Sequence, residues 1–108
     1  KEKRLKKILE FIDFNKWKAK EKTNDFLKFE PIKKKWQSFG WNVKEINGHS
    51  FKDIDNSLKN FQQNPIPTAI ICRTIKGKGI SFMQDNNLWH YRAPNYKEFL
   101  LAKKELED

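Results

Sequence analysis

Four consecutive apolar residues, Ala69-Ile70-Ile71-Cys72, lie between the breaker Asn64-Pro65-Ile66-Pro67 and the loop Lys76-Gly77-Lys78-Gly79. An apolar run without polar alternation, bounded by turn formers, suits a strand covered on both faces. Residues 68–75 are therefore the best strand in the chain. A strand of this kind belongs in a parallel sheet, and a parallel sheet requires helices between its strands.

The rest of the chain supplies that alternation. Residues 8–14 are rich in Ile and Phe and stop at a loop former, which predicts a strand, although Leu5, Ile8, Leu9 and Ile12 also match helical spacing. Glu10 sits awkwardly in a strand covered on both faces. Residues 15–28 are polar and read as loop. Pro31 suits a first helical turn, Ile32, Trp36 and Phe39 follow on one face, and Gly40 stops the helix. Residues 41–46 alternate and read as a strand closed by the Asn47-Gly48 turn. A second helix, capped by Ser50, places Phe51, Ile54, Leu58 and Phe61 on one face. Asn95 and Glu98 have the spacing of a capping box and open a last helix carrying Phe99, Leu100 and Leu106. The order strand, helix, strand, helix, strand, loop, helix predicts an α/β fold built on part of a doubly wound parallel sheet.

A chain of 108 residues allows one modest domain. Residues 1–7 form a basic leader, and the net charge is +9. The lysines are spread along the chain and mixed with glutamates, so the charge reads first as a lysine-rich surface. A basic module for RNA or single-stranded DNA is the alternative, with no recognition motif behind it. Cys72 is the single cysteine, excludes an internal disulfide and reads as a buried thiol. No apolar run approaches the roughly 20 residues of a membrane span, and the basic start is not followed by the apolar h-region and small-residue cleavage site of a signal peptide. The expected location is the cytoplasm.

In an open α/β sheet, ligands bind beyond the carboxyl ends of the strands. Those ends present Asp13 and Asn15, then Gly48-His49, then Lys76-Gly77-Lys78-Gly79, a rim suited to an anionic ligand. An oxygen donor such as Asn15 suits Mg²⁺ on a diphosphate. From spacing alone, however, Asn15 is a loop-capping amide before it is a ligand. His49 and His90 have no Cys or His neighbours at zinc spacing, and there is no phosphate loop of the GxxxxGK type.

Six segments in register carry a family resemblance: Asp13-Phe14-Asn15-Lys16-Trp17, Glu30-Pro31-Ile32-Lys33-Lys34-Lys35-Trp36, Phe39-Gly40-Trp41, Asn47-Gly48-His49, Pro67-Thr68-Ala69-Ile70-Ile71, and residues 74–83 with Trp89-His90. Across about residues 8–108 the chain resembles the transketolases, most closely the shorter bacterial type with a separate N-terminal section. The resemblance implies the diphosphate-binding domain of a thiamine-diphosphate enzyme that moves a two-carbon ketol unit between sugars. It implies that the side-chain oxygen of Asn15 and the backbone carbonyl of Trp17 bind Mg²⁺. It makes His90 the candidate for a catalytic histidine beside the cofactor diphosphate and the substrate.

Two departures from the family pattern stand out. The Gly-Asp-Gly that opens its metal motif is absent, and the resemblance places it before Lys1. Residues 1–108 are thus expected to be the C-terminal part of the domain, inactive in isolation, with one side-chain ligand for the metal. The Gly that usually follows the histidine is Tyr91 here, and a one-residue shift would put Tyr91 itself in that place. The implied partners are a sugar or sugar phosphate, a C-terminal transketolase section with the pyrimidine-binding domain, and further copies in an oligomer. A remnant without catalysis is the remaining alternative.

Overall fold

The computed structural model describes residues 7–17, 32–63 and 66–107. Its elements are β1 (Leu9–Phe14), α1 (Ile32–Ser38), β2 (Asn42–Asn47), α2 (Phe51–Gln63), β3 (Thr68–Arg73), a 3₁₀ turn (Asn87–His90) and α3 (Tyr96–Glu107). The expected α/β order holds, and the 3₁₀ turn is added within the segment read as loop. Most of the basic leader, most of the loop over 15–28, the helix start at Pro31 and the Asn64-Pro65 break lie outside the described residues.

The three strands are parallel in the order β1-β3-β2. The apolar run takes the centre: Thr68, Ala69, Ile70 and Ile71 are at most 3% exposed, and Cys72 is buried. Burying a side chain such as Ile70 or Ile71 contributes about 1.5–3 kcal/mol each. The outer strands are covered less completely. Val43 on β2 is buried, whereas Glu10 on β1 is exposed. Among the described residues β1 pairs with β3 alone, so Glu10 meets no second strand. Val43, Ala69 and Ile71 form a core against which Ile12, Phe14, Ile32, Trp36 and Trp41 pack.

Two helix faces differ from the periodic reading. The helix α1 ends at Ser38, and Gly40 donates to the Gln37 carbonyl (2.9 Å) at φ +79°. Phe39 therefore falls beyond the helix and is 80% exposed. Trp41 takes its place: its N–H donates to the Trp36 carbonyl (3.3 Å), and the two indoles meet edge to face at 4.7 Å. On α2, Phe51 occupies the first helical position and is 89% exposed, while the small Ser57 is buried. The cap is as expected, with Ser50 Oγ accepting from the Asp53 N–H (3.2 Å).

The chain divides into two compact units. The first carries described residues 7–14, 32–63 and 66–74 and contains the sheet; the second carries 15–17 and 75–107. No helix among the described residues is long and apolar enough to cross a membrane.

Candidate functional site

In the first unit the three strands end level with one another. Phe14 and Asn47 both pair with Arg73 at the carboxyl rim. The Arg73 side chain spans that rim: its guanidinium lies 4.5 Å from the centre of the Phe14 ring, and its Nε donates to Glu45 (2.7 Å). The hydrogen bond from Arg73 holds the Glu45 carboxyl below its ordinary range, against the opposing effect of desolvation. Thr74 Oγ1 bonds the Asp13 carboxylate. Gly48 donates to the Arg73 carbonyl (2.8 Å), and a Cβ there would lie 2.5 Å from Thr74 Cγ2. The predicted Asn47-Gly48 turn is thus pressed against the end of β3, and any side chain there would force Thr74 and Cys72 to shift. Cys72 is a buried thiol pushed up first by burial and then by the Asp13 charge, as a core cysteine should be.

The residues that the resemblance assigns to the site, Asn15, Trp17 and His90, all belong to the second unit, as do Lys76 and Lys78; His49 belongs to the first. Directly after β1, Asn15 Oδ1 accepts from the Trp17 backbone N–H (2.9 Å). This is the loop-capping amide that spacing alone suggested. The turn places Lys16 at φ +66°, a conformation that costs a non-glycine residue about 1 kcal/mol or more. The Trp17 indole then donates to Asp85 Oδ1 (2.7 Å), and the Asp85 N–H donates to the Lys76 carbonyl (2.9 Å).

The glycine-lysine loop is a set of tight turns. Lys78 donates to the Ile75 carbonyl (3.1 Å) and Ile80 to the Gly77 carbonyl (3.3 Å). Gly77 and Gly79 have φ of +71° and +105°, and a Cβ on Gly77 would collide with the Met83 backbone. Lys76 Nζ lies 3.5 Å from His90 Nδ1. An ammonium facing Nδ1 favours the tautomer with its proton on Nε2.

His90 closes the 3₁₀ turn, whose cap is the Asn86 side chain accepting from Leu88 N–H (3.0 Å). Its neighbours hold it from both sides. Trp89 donates its indole N–H to the Phe82 carbonyl (3.1 Å), and the Arg92 guanidinium lies 4.0 Å from the centre of its ring. Arg92 forms a two-pronged pair with Glu98 (3.0 and 2.6 Å). Tyr91 meets His90 edge to face at 4.9 Å, and the histidine remains exposed. The contact to Lys76 is made by His90.

The donor set of the Asn15–Trp17 turn is one amide oxygen and backbone carbonyls, which fits a hard cation such as Mg²⁺ and not a soft one. Asn15 Oδ1 retains a lone pair beyond the one engaged by Trp17 N–H. Among the described residues no group of three His, Cys, Asp or Glu converges to hold a metal. The turn alone would fill only part of such an ion's shell, the rest falling to diphosphate, water or further oxygen ligands. A cavity of about 320 Å³ in the first unit is elsewhere: Asn42 and Thr68, at the starts of β2 and β3, line it. Asp85 carries no signal in the sequence. Nothing in Gln84-Asp85-Asn86-Asn87 distinguishes it from a polar loop, and its partner lies 68 residues away.

Residues 1–106 match the family model described as "Transketolase, thiamine diphosphate binding domain". Over 105 residues the chain is 35% identical to an apulose-4-phosphate transketolase subunit of Actinobacillus succinogenes, covering 97% of this chain and 38% of that protein. It is 32% identical over 105 residues to the 6-deoxy-6-sulfo-D-fructose transketolase subunit of a Clostridium species, covering 96% of this chain and 38% of that protein. The Homo sapiens protein named "Transketolase" is 26% identical over 87 residues, 81% of this chain and 14% of its own length. The chain thus spans well under half the length of these relatives.

Proposed function

The chain belongs to the transketolase family, within the thiamine diphosphate binding domain, and from that premise we propose that it is part of an enzyme transferring a two-carbon ketol unit between sugars. The match across residues 1–106 is the observation that carries this reading. In this proposal Asn15 Oδ1 and the Trp17 carbonyl face Mg²⁺ on the cofactor diphosphate. Thiamine diphosphate, when bound, supplies the carbon nucleophile for the ketol group. The protein's part is to bind, orient and move protons. His90, with Nδ1 toward Lys76, presents an Nε2–H that can donate to a diphosphate or substrate oxygen. The positive potential of Lys76 and Lys78 favours an anionic ligand there.

Two relatives are named as transketolase subunits. We accordingly assign this chain a partner subunit carrying the pyrimidine-binding domain, and a ketose or its phosphate as substrate. The test is ketol transfer from a panel of ketoses, with thiamine diphosphate and Mg²⁺. The 108 residues alone are expected to show none. The full-length protein with its partner subunit is expected to be active, and Asn15→Ala to lower that activity at least tenfold at limiting Mg²⁺. Turnover by the 108 residues alone would overturn the division of labour; an inactive assembled enzyme would overturn the function.

A further inference from the structure

We propose that Asp85 is the positioning residue of the Asn15–Trp17 turn, holding its two oxygens in the geometry a diphosphate-bound cation needs. The proposal rests on the reading of that turn as the Mg²⁺ side of the site.

Three observations converge on Asp85. Its carboxylate accepts from the Trp17 indole at 2.7 Å, and its own N–H donates to the Lys76 carbonyl at 2.9 Å. It thereby couples the turn to the glycine-lysine loop through a hydrogen bond between residues 68 apart in sequence. Lys16 and Asp85, on either side of that link, are the two described non-glycine residues with positive φ, at +66° and +52°. Backbone held in this sparsely populated region persists where surrounding contacts over-determine it, and such residues gather at functional sites. Finally, Asn15 Oδ1 is already aimed by the Trp17 N–H, so whatever fixes Trp17 also fixes the direction of the Asn15 oxygen. One anchored indole therefore sets both oxygens. Asp85 itself need not touch the metal. Partners of this kind typically change metal affinity by about 10- to 100-fold when removed.

The experiment titrates Mg²⁺ into the full-length protein assembled with its partner subunit at fixed thiamine diphosphate and follows binding by calorimetry. Asp85→Ala and Trp17→Phe are each expected to weaken Mg²⁺-dependent cofactor binding roughly tenfold, with partial recovery at high Mg²⁺. The double variant is expected to be no worse than either single one, because both remove the same link. Asp85→Asn keeps an acceptor oxygen for the indole and is expected to stay within about twofold of the unaltered protein. Wild-type affinity in Asp85→Ala and Trp17→Phe, with Asn15→Ala weakened, overturns the positioning role and leaves the turn as the cation site. Additive losses in the double variant also overturn it. Unchanged affinity in Asn15→Ala overturns the reading of the turn and the proposal with it. If Asp85→Ala fails to fold, Trp17→Phe and Asp85→Asn still decide between these results.

Discussion

Single residues in this chain are constrained by space as often as by chemistry, and its glycines separate the two. Gly40 has φ +79° and open space around it; Gly48 has close neighbours; Gly77 has both φ +71° and the Met83 backbone against it. Substitution by Ala at Gly40 should cost only the left-handed conformation, about 1–2 kcal/mol. At Gly48 the cost is overpacking against Thr74 and Cys72, about 1–3 kcal/mol. Gly77→Ala combines both and should be the most damaging. Urea denaturation of the three variants should give that extreme order, and a Gly40→Ala protein as destabilised as Gly77→Ala would contradict it. Gly48 and Gly77 were legible as turn residues, since Asn-Gly and Lys-Gly-Lys-Gly mark turns in any context. Which atoms press on them was not.

At the scale of elements, the strands and caps follow local rules. The α3 capping box forms as its spacing requires: Glu98 N–H donates to Asn95 Oδ1 (2.9 Å), and Asn95 N–H donates to Glu98 (2.8 Å). The Arg92 guanidinium, then the Asn95 N–H, lower the Glu98 pKa from its ordinary 4.5. A carboxyl depressed in the folded state contributes stability above the unfolded value, and loses it as pH falls through the lower folded value. The start of α3 should therefore loosen below pH 4.5, an effect that Glu98→Gln abolishes. Asn95→Ala should cost about 1 kcal/mol at neutral pH. Amide exchange over the first turn of α3, followed against pH, reads both; an unchanged acid profile in Glu98→Gln would refute the assignment. The helix faces were less legible. Periodicity placed Phe39 and Phe51 inward, but the first lies past the helix end and the second on its first turn, and both are exposed.

For the molecule as a whole, edges and apolar exposure set the expected behaviour. Among the described residues β1 and β2 each pair with β3 alone. On α3, Tyr96 is 78% exposed, and Phe99, Leu100, Leu101 and Leu106 are exposed with it. Unpaired strand edges and contiguous apolar side chains promote association. The 108 residues in isolation should self-associate above micromolar concentration and bind a hydrophobic dye. In the proposed assembly with a partner subunit, less dye should bind per chain. A monodisperse monomer by sedimentation that binds no dye would contradict this.

The α/β class, the strand covered on both faces and the family were readable from residue order, because an apolar run between turn formers has few folded uses and six registered motifs are specific; the central place of that strand came from the fold. Helix caps were readable too, since their partners lie three residues apart. The link from Trp17 through Asp85 to Lys76, and the Lys76–His90 contact, came from the folded chain alone. Hydrogen bonds between loops distant in sequence leave no periodicity, and a polar residue in a polar loop has many possible partners. Folding selects one of them, and that selection turns the loop-capping Asn15 and the strand-end loop of glycines and lysines into parts of one connected turn.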